Sequence, residues 1–183
     1  MLTGARRIVT GHNDDGQSVA IINDAPPQVM VDPATGAGLA EIWASAAVPE
    51  TLTPFVDSAK ALVTLAPDPG GVRFRLFAVA PGEVKPADFP AARAAAQRAY
   101  GALDGADALV ASERHPEMHR TKTLDVVIAL QGSLTLVLDT EDIVLRPGDT
   151  VVQRGTAHAW ANSGADLAVG FVILMDATED PAR

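Results

Sequence analysis

The sequence predicts an all-β protein, an antiparallel jelly-roll barrel with an arm of N-terminal strands and one short inserted helix. Its 15 glycines and 13 prolines are spread along all 183 residues, and they divide the chain into the short segments typical of all-β proteins. From residue 123 onward, short apolar stretches alternate with tight turns. Only one segment has clear helical periodicity. We expect a single domain, residues 1–183, because a chain of this length builds one core.

The N-terminal arm, residues 1–80, is predicted to hold strands and loops. Residues 7–10 and 18–22 are apolar stretches on either side of a polar, glycine-flanked turn, so they predict a β-hairpin. Residues 39–44 are a further short strand candidate. Residues 72–80 alternate in polarity along most of their length, which predicts a half-buried strand.

The inserted helix, within residues 88–105, is predicted to run from about Phe89 to Leu103. Asp88 is a candidate N-cap, and Gly105 is a candidate C-terminal stop. One face of the helix is mostly alanine. Alanines let a helix approach a sheet closely but fill little volume. We therefore expect this face to pack on the outside of a sheet rather than to fill the barrel.

The barrel core, residues 114–175, carries the candidate site and contains six predicted strands with short connections. These strands are residues 124–130, 133–138, 143–145, 150–153, 158–161 and 167–175. Antiparallel strands with tight turns close into a barrel or a jelly roll, which removes unpaired sheet edges.

Composition and charge exclude several kinds of partner. The chain has 14 Lys and Arg against 23 Asp and Glu, a formal net charge of −9, so it would repel the phosphate backbone of a nucleic acid. No apolar run approaches the ~20 residues that cross a bilayer, and the N-terminus lacks the apolar core of a signal peptide. The absence of cysteine fits a reducing compartment. We therefore expect a cytoplasmic protein that binds neither nucleic acid nor membrane.

Two stretches of the barrel core place histidines and a carboxylate on one side of extended chain. Side chains two residues apart on a strand point the same way, so His119, Thr121 and Asp125 share one face. In the second stretch, His158 and Trp160 share a face. If both stretches line one barrel, two imidazoles and a carboxylate converge from different strands. Thr121 and Trp160 then belong to the wall of a substrate pocket.

These stretches resemble the two signature motifs of the cupin superfamily. In the first, G-x5-H-x-H-x3,4-E-x6-G, His119 takes the first histidine position and Thr121 the second. Asp125 takes the glutamate position, because Gly132 follows it by seven residues. In the second, G-x5-P-x-G-x2-H-x3-N, the matching residues are Gly148, Gly155, His158 and Asn162. The resemblance covers about a third of the chain. It implies a small cupin of the cupin-2 barrel type that forms a homodimer, with the N-terminal strands extending a sheet of the partner.

The resemblance leaves two interpretations of the histidines. In one, His119, Asp125 and His158 bind a divalent metal such as Fe, Mn, Ni or Zn, a two-histidine, one-carboxylate set that suits Fe(II). In the other, the same side chains line a polar barrel without a metal and bond to one another and to water. Thr121 stands where the family has histidine and Asp125 where it has glutamate, so both interpretations stay open.

Arg75 is a further candidate for the substrate pocket. Arg73 and Arg75 alternate with apolar residues on a predicted strand, and a guanidinium binds a carboxylate through two parallel hydrogen bonds. The alternative is that both arginines lie on a solvated face or pair with neighbouring acids.

Two functions of different classes follow. The first is an enzyme that holds a small organic substrate, aromatic or carboxylated, over a divalent metal and catalyses an oxygenation, a decarboxylation or an isomerisation. The second is a metal-free module that binds or senses a small ligand through Trp160, Arg75 and the histidines. Both functions place a small molecule inside the barrel.

Overall fold

A computed structural model describes residues 2–52 and 54–178 of the chain. Within these ranges the chain forms eleven strands and one α-helix, α1 (Phe89–Gly101). The strands are β1 (Arg7–His12), β2 (Ser18–Asp24), β3 (Gln28–Val31), β4 (Gly38–Ser45), β5 (Val72–Val79), β6 (Thr123–Gln131), β7 (Leu134–Val137), β8 (Asp142–Leu145), β9 (Thr150–Arg154), β10 (Ala159–Asn162) and β11 (Ala168–Asp176). Met1 and residues 179–183, the two ends of the predicted domain, lie outside the described residues.

The barrel is built from two antiparallel sheets. The larger sheet has the strand order β3–β4–β5–β11–β6–β9, and the smaller has the order β10–β7–β8. A single bridge joins His158, next to β10, to His119, and a second bridge joins His119 to Leu109. The chain passes from the larger sheet to the smaller between β9 and β10, so the histidines lie where the two sheets meet.

The apolar core lies between the two sheets. Ala129 and Ala168 of the larger sheet pack against Leu134 and Leu145 of the smaller one. All four are buried, and burying one leucine side chain stabilises a fold by roughly 1.5–3 kcal/mol. This packing holds the two sheets face to face and leaves the lining residues of the barrel in fixed positions.

The all-β prediction is confirmed, and the six predicted strands of the barrel core are present with ends within one residue of those expected. The predicted hairpin forms as β1 and β2, which pair as a separate two-stranded sheet. β4 and β5 instead belong to the larger sheet of the barrel. The sequence analysis missed β3, which has only four residues between Pro27 and Pro33.

The helix lies where it was predicted, but the prediction of its packing is wrong. Two residues of the alanine face, Ala95 and Ala99, are exposed. Arg93 instead donates hydrogen bonds to backbone carbonyls of the segment that precedes β6, and Tyr100 contacts His119. α1 therefore lies over the segment that carries His119 rather than on a sheet. Within the described ranges, no helix has both the length and the apolar character that a membrane crossing requires.

Candidate functional site

His119 and His158 face each other at the corner between the two sheets. Their backbones form a bridge in which each N–H donates to the carbonyl of the other residue over 2.9 Å. The bridge places both side chains on the same side, with ring centroids 4.3 Å apart. Both residues are buried. The structure thus brings together the two histidines that the two-residue periodicity singled out.

Each histidine ring is held by a backbone carbonyl two residues earlier in the chain. Nδ1 of His119 lies 3.0 Å from the carbonyl oxygen of Glu117, and Nδ1 of His158 lies 3.0 Å from that of Thr156. A carbonyl oxygen only accepts hydrogen bonds, so each Nδ1 carries the proton and each Nε2 keeps its lone pair. The pair therefore offers two basic nitrogens with fixed orientation.

Both imidazoles are neutral at pH 7. Burial, together with the adjacent His158, lowers the pKa of His119 to about 3. Burial also lowers the pKa of His158, although the hydrogen bond to Thr156 acts in the other direction. A neutral imidazole is the form that accepts a proton or binds a metal ion, so neither ring has to lose a proton before it acts.

Tyr100 of α1 is a candidate that the sequence analysis did not assign to the site. Its hydroxyl lies 2.9 Å from Nδ1 of His119, and the two rings meet edge to face with centroids 5.1 Å apart. Burial raises the pKa of Tyr100 far above its usual value, so the side chain remains a neutral phenol. Tyr100 is the only tyrosine of the chain. The sequence analysis overlooked it because it interpreted this face of the helix as a packing surface.

The residues that follow His119 alternate between buried and exposed positions. Thr121, Thr123 and Asp125 are buried, and the residues between them are exposed. The hydroxyls of Thr121 and Thr123 lie 2.7 Å apart, and Thr123 is also hydrogen-bonded to Asp125. Thr121 is therefore the first of three buried polar side chains that are linked by hydrogen bonds on one face of the chain.

Trp160 forms an aromatic wall beside the histidines. Its ring lies 5.7 Å from that of His158 and 5.5 Å from that of Phe77 on β5. Both aromatic rings pack against the buried cluster that contains Val127 and Val172. The lumen consequently combines polar histidines with an apolar wall.

Asp125 does not complete a metal site with the two histidines. It lies within β6, opposite Gln153 of β9 and Leu174 of β11, whereas the histidines face each other beyond the end of that strand. Among residues 2–52 and 54–178, no three His, Cys, Asp or Glu side chains are placed to hold one metal ion. Protein metal sites use three or four ligands, so the arrangement does not fit a two-histidine, one-carboxylate centre.

Arg73 and Arg75 are buried and paired, so the interpretation that places them on a solvated face is wrong. Glu41 of β4, 0% exposed, accepts hydrogen bonds from Arg73 over 3.3 Å and from Arg75 over 3.1 Å. The guanidinium groups also donate to backbone carbonyls of the loop at residues 62–65. Sequence reasoning missed Glu41, because the register of β4 shifts just after it and interrupts the two-residue periodicity.

Four atoms of these charged side chains are buried without a hydrogen-bond partner in the described part of the chain. They are Nε of Arg73, Nε of Arg75, Oε1 of Glu41 and Oδ1 of Asp125. Leaving a buried polar group unpaired costs about 1–3 kcal/mol, and native proteins keep few such groups. The four atoms are two N–H donors and two carboxyl oxygens.

Two surface cavities lie away from the histidine pair. A cavity of about 530 Å³ is lined by Arg7 and Asp57, but these two side chains form a salt bridge with each other at 2.6 Å. A second cavity, of about 300 Å³, is lined by the N-terminal part of α1 and by Pro116. Neither of the two is lined by a histidine, although Nε of Arg7, beside the first, is buried without a hydrogen-bond partner in the described part of the chain.

Parts of the chain are similar to proteins from fungi. Over 46 residues, 25% of this chain and 24% of the relative, it is 50% identical to phomopsin biosynthesis cluster protein C' of Diaporthe leptostromiformis. Over 66 residues, 34% of each protein, it is 41% identical to the cupin-domain-containing oxidoreductase srdD of Neurospora crassa. The chain thus matches about a quarter to a third of the length of these relatives.

A solved structure is similar over most of the chain. The crystal structure of a Cupin 2 conserved barrel domain protein from Salinispora arenicola CNS-205 covers 88% of this chain and 92% of its own, at 16% identity and a TM-score of 0.44. No protein-family model matches the chain.

Proposed function

We propose that this chain, whose barrel belongs to the cupin superfamily, binds a small organic acid in its lumen and transfers a proton on it through the His119–His158 pair. The observation that carries the proposal is the pair itself: two neutral imidazoles, centroids 4.3 Å apart, each with Nδ1 on a backbone carbonyl. This arrangement leaves two Nε2 lone pairs for a bound molecule.

The lining of the lumen supports an organic acid as the ligand. A carboxylate is recognised best by N–H donors of a guanidinium, and Nε of Arg73 and Nε of Arg75 are unpaired donors in the described structure. Trp160 and Phe77 provide an apolar wall for the carbon skeleton. Pockets of this kind, mostly apolar with a few placed polar groups, are typical of small-molecule sites.

The proton transfer follows from the state of the histidines. Nε2 of one ring accepts the proton of a C–H bond of the bound acid, and the electron pair of that bond stays in the molecule as a shifted double bond. The carbonyl of Glu117 or Thr156 stabilises the imidazolium through its Nδ1–H. Because burial disfavours the charged ring, the ring returns the proton readily to another atom of the same molecule. The net reaction is an isomerisation, which needs no further reactant.

We expect organic acids to change the fluorescence of Trp160, and His158→Ala to weaken their binding at least tenfold. Trp160 is isolated by working in a Trp43→Phe background, since the chain has two tryptophans. The probes are benzoate and salicylate, compared with benzamide and salicylamide, titrated against emission. His12→Ala is the matched control, because His12 is exposed on β1. If neither acid binds more tightly than about 1 mM, or if the amides bind equally well, the proposal is overturned.

A second candidate function is a redox transformation of a small molecule at a metal ion held by His119 and His158. Relatives named as cupin-domain-containing oxidoreductases favour it. The two histidines fit the preference of divalent transition metals for imidazole, but Asp125 does not supply the third ligand.

Thr121→His is expected to raise the affinity for Ni(II) or Zn(II) by about tenfold or more. Thr121 is buried two residues after His119, so an imidazole there faces the same lumen, and nitrogen ligands bind these metals better than a hydroxyl. The measurement is a competition titration of metal binding. Adding His119→Ala should abolish the gain in affinity. Thr123→His is the matched control, because Thr123 is also buried but lies four residues after His119 instead of two. If Thr121→His binds no better than the unaltered chain, the assignment of Thr121 to the second histidine position is wrong.

A further inference from the structure

The side-chain hydrogen bonds of α1 all reach one short segment of the chain. Arg93 donates to two backbone carbonyls of residues 116–118, over 2.9 and 3.4 Å, and the hydroxyl of Tyr100 lies 2.9 Å from Nδ1 of His119. Only Ala96 of the helix is buried, and an alanine contributes little apolar packing. The polar contacts therefore determine that α1 lies against His119.

The two histidines of the pair differ in their contacts at Nδ1. Each Nδ1 lies 3.0 Å from the backbone carbonyl of the residue two positions earlier. His119 has a second oxygen at this atom, the hydroxyl of Tyr100. Nδ1 of His158 has no second partner in the described part of the chain. The pair thus contains the same ring on the same kind of carbonyl, once with a phenol and once without.

The hydroxyl oxygen of Tyr100 accepts from Nδ1–H of His119. The carbonyl of Glu117 only accepts, so Nδ1 carries the hydrogen, and this hydrogen is shared between two oxygens in a three-centre bond. A half-turn of the ring about its Cβ–Cγ bond would put a carbon in the place of Nδ1 and lose both contacts. Tyr100 stays a neutral phenol, so it holds the ring without favouring an imidazolium as a carboxylate would.

We propose that Tyr100 is a positioning residue of His119: its hydroxyl keeps the hydrogen on Nδ1 and leaves the lone pair on Nε2 for the bound acid. This role rests on the proposed function, because that function uses the Nε2 lone pair. A hydrogen-bond acceptor at one nitrogen of an imidazole fixes the tautomer and raises the basicity of the other nitrogen. Tyr100 therefore makes His119 the more firmly held base of the pair.

The test follows the ring N–H hydrogens of the two histidines by ¹⁵N NMR at pH 7, with no organic acid present. Tyr100→Phe keeps the edge-to-face ring contact and removes only the hydroxyl, and spectra of His119→Ala and His158→Ala assign the signals. We expect both rings of the unaltered chain to carry the hydrogen on Nδ1. In Tyr100→Phe, the Nδ1–H of His119 should exchange with water about fivefold faster or more, the factor that the loss of one hydrogen bond implies. The Nδ1–H of His158 is the internal control and should keep its rate.

Gln97→Ala is the matched control on the same helix, because Gln97 is exposed, and it should leave both exchange rates unchanged. An unchanged rate at His119 in folded Tyr100→Phe overturns the proposal, and so does an equal increase at His158, which would mean that the whole corner has loosened. A lone pair on Nδ1 of His119 in the unaltered chain also overturns it, since Tyr100 would then be the donor, and this observation needs no variant. All these outcomes are independent of ligand binding, so they are distinct from a failure of the benzoate titration that tests the proposed function.

Discussion

Glu41→Ala is expected to destabilise the protein by about 3–5 kcal/mol, since removing one partner of a buried ion pair leaves the other charge unpaired. Here one carboxylate serves two guanidinium groups, those of Arg73 and Arg75, and all three side chains are buried. Burial raises the pKa of Glu41, although both arginines lower it. The two arginines are therefore what stabilises the ionised form of this buried carboxylate.

The effect should reach the loop over the barrel. Arg73 donates to the carbonyl of Leu62, and Arg75 donates to those of Thr64 and Leu65. Without Glu41, the two guanidinium groups repel each other and no longer hold their positions under this loop. We therefore expect faster hydrogen exchange at residues 62–65 as well as a lower free energy of unfolding.

The measurement is urea denaturation of Glu41→Ala beside Glu41→Gln and Glu113→Ala. Glu41→Gln keeps the shape of the side chain and removes its charge, so it should recover only part of the loss. Glu113 is exposed, and its replacement should change the free energy of unfolding by less than about 0.5 kcal/mol. A loss below about 1 kcal/mol in Glu41→Ala would show that the arginines find other partners.

The strand periodicity predicted the alternation of buried and exposed residues after His119, for a physical reason. Successive side chains of an extended strand point to opposite faces, and only one face of each strand sees the lumen. This is why Thr121 and Asp125 are buried while Lys122 and Leu124 are exposed. The same rule placed Arg73 and Arg75 on one face of the strand, but it does not say whether that face is solvent-exposed or buried.

What the sequence did not predict depends on contacts between distant segments. Tyr100 reaches His119 because α1 packs against the segment before β6, and no local pattern specifies that packing. Glu41 meets Arg75 through the pairing of β4 with β5, 34 residues apart in the chain. The position of Asp125 relative to the histidine pair likewise depends on where β6 begins. The spacing of a motif gives the number of residues between His119 and Asp125, but not the path of the chain between them.

Asp125→Asn is expected to make the protein more stable than the unaltered chain above pH 6, by about 2–3 kcal/mol. Burial raises the pKa of Asp125 from 3.8 to about 6, against the opposing effects of Thr123 and Arg75. The folded state therefore binds this proton more tightly than the unfolded state. Between about pH 4 and pH 6 the stability that Asp125 contributes falls as pH rises, and each unit of pKa difference corresponds to 1.36 kcal/mol. Above pH 6 this loss of stability is complete, and the difference in the free energy of unfolding between Asp125→Asn and the unaltered chain is constant.

Urea denaturation at intervals from about pH 4 to pH 8 measures this difference. The histidine pair also titrates with folding, but in the opposite sense: burial lowers both pKa values, so their contribution to stability is lost as pH falls. That contribution is present in both proteins, and subtracting one curve from the other removes it. Asp139→Asn, at an exposed turn residue, is the matched control. If Asp125→Asn gives a flat difference, Asp125 is ionised throughout this range, and a cation close to Oδ1, from Arg75 or from a bound metal, must hold its pKa down.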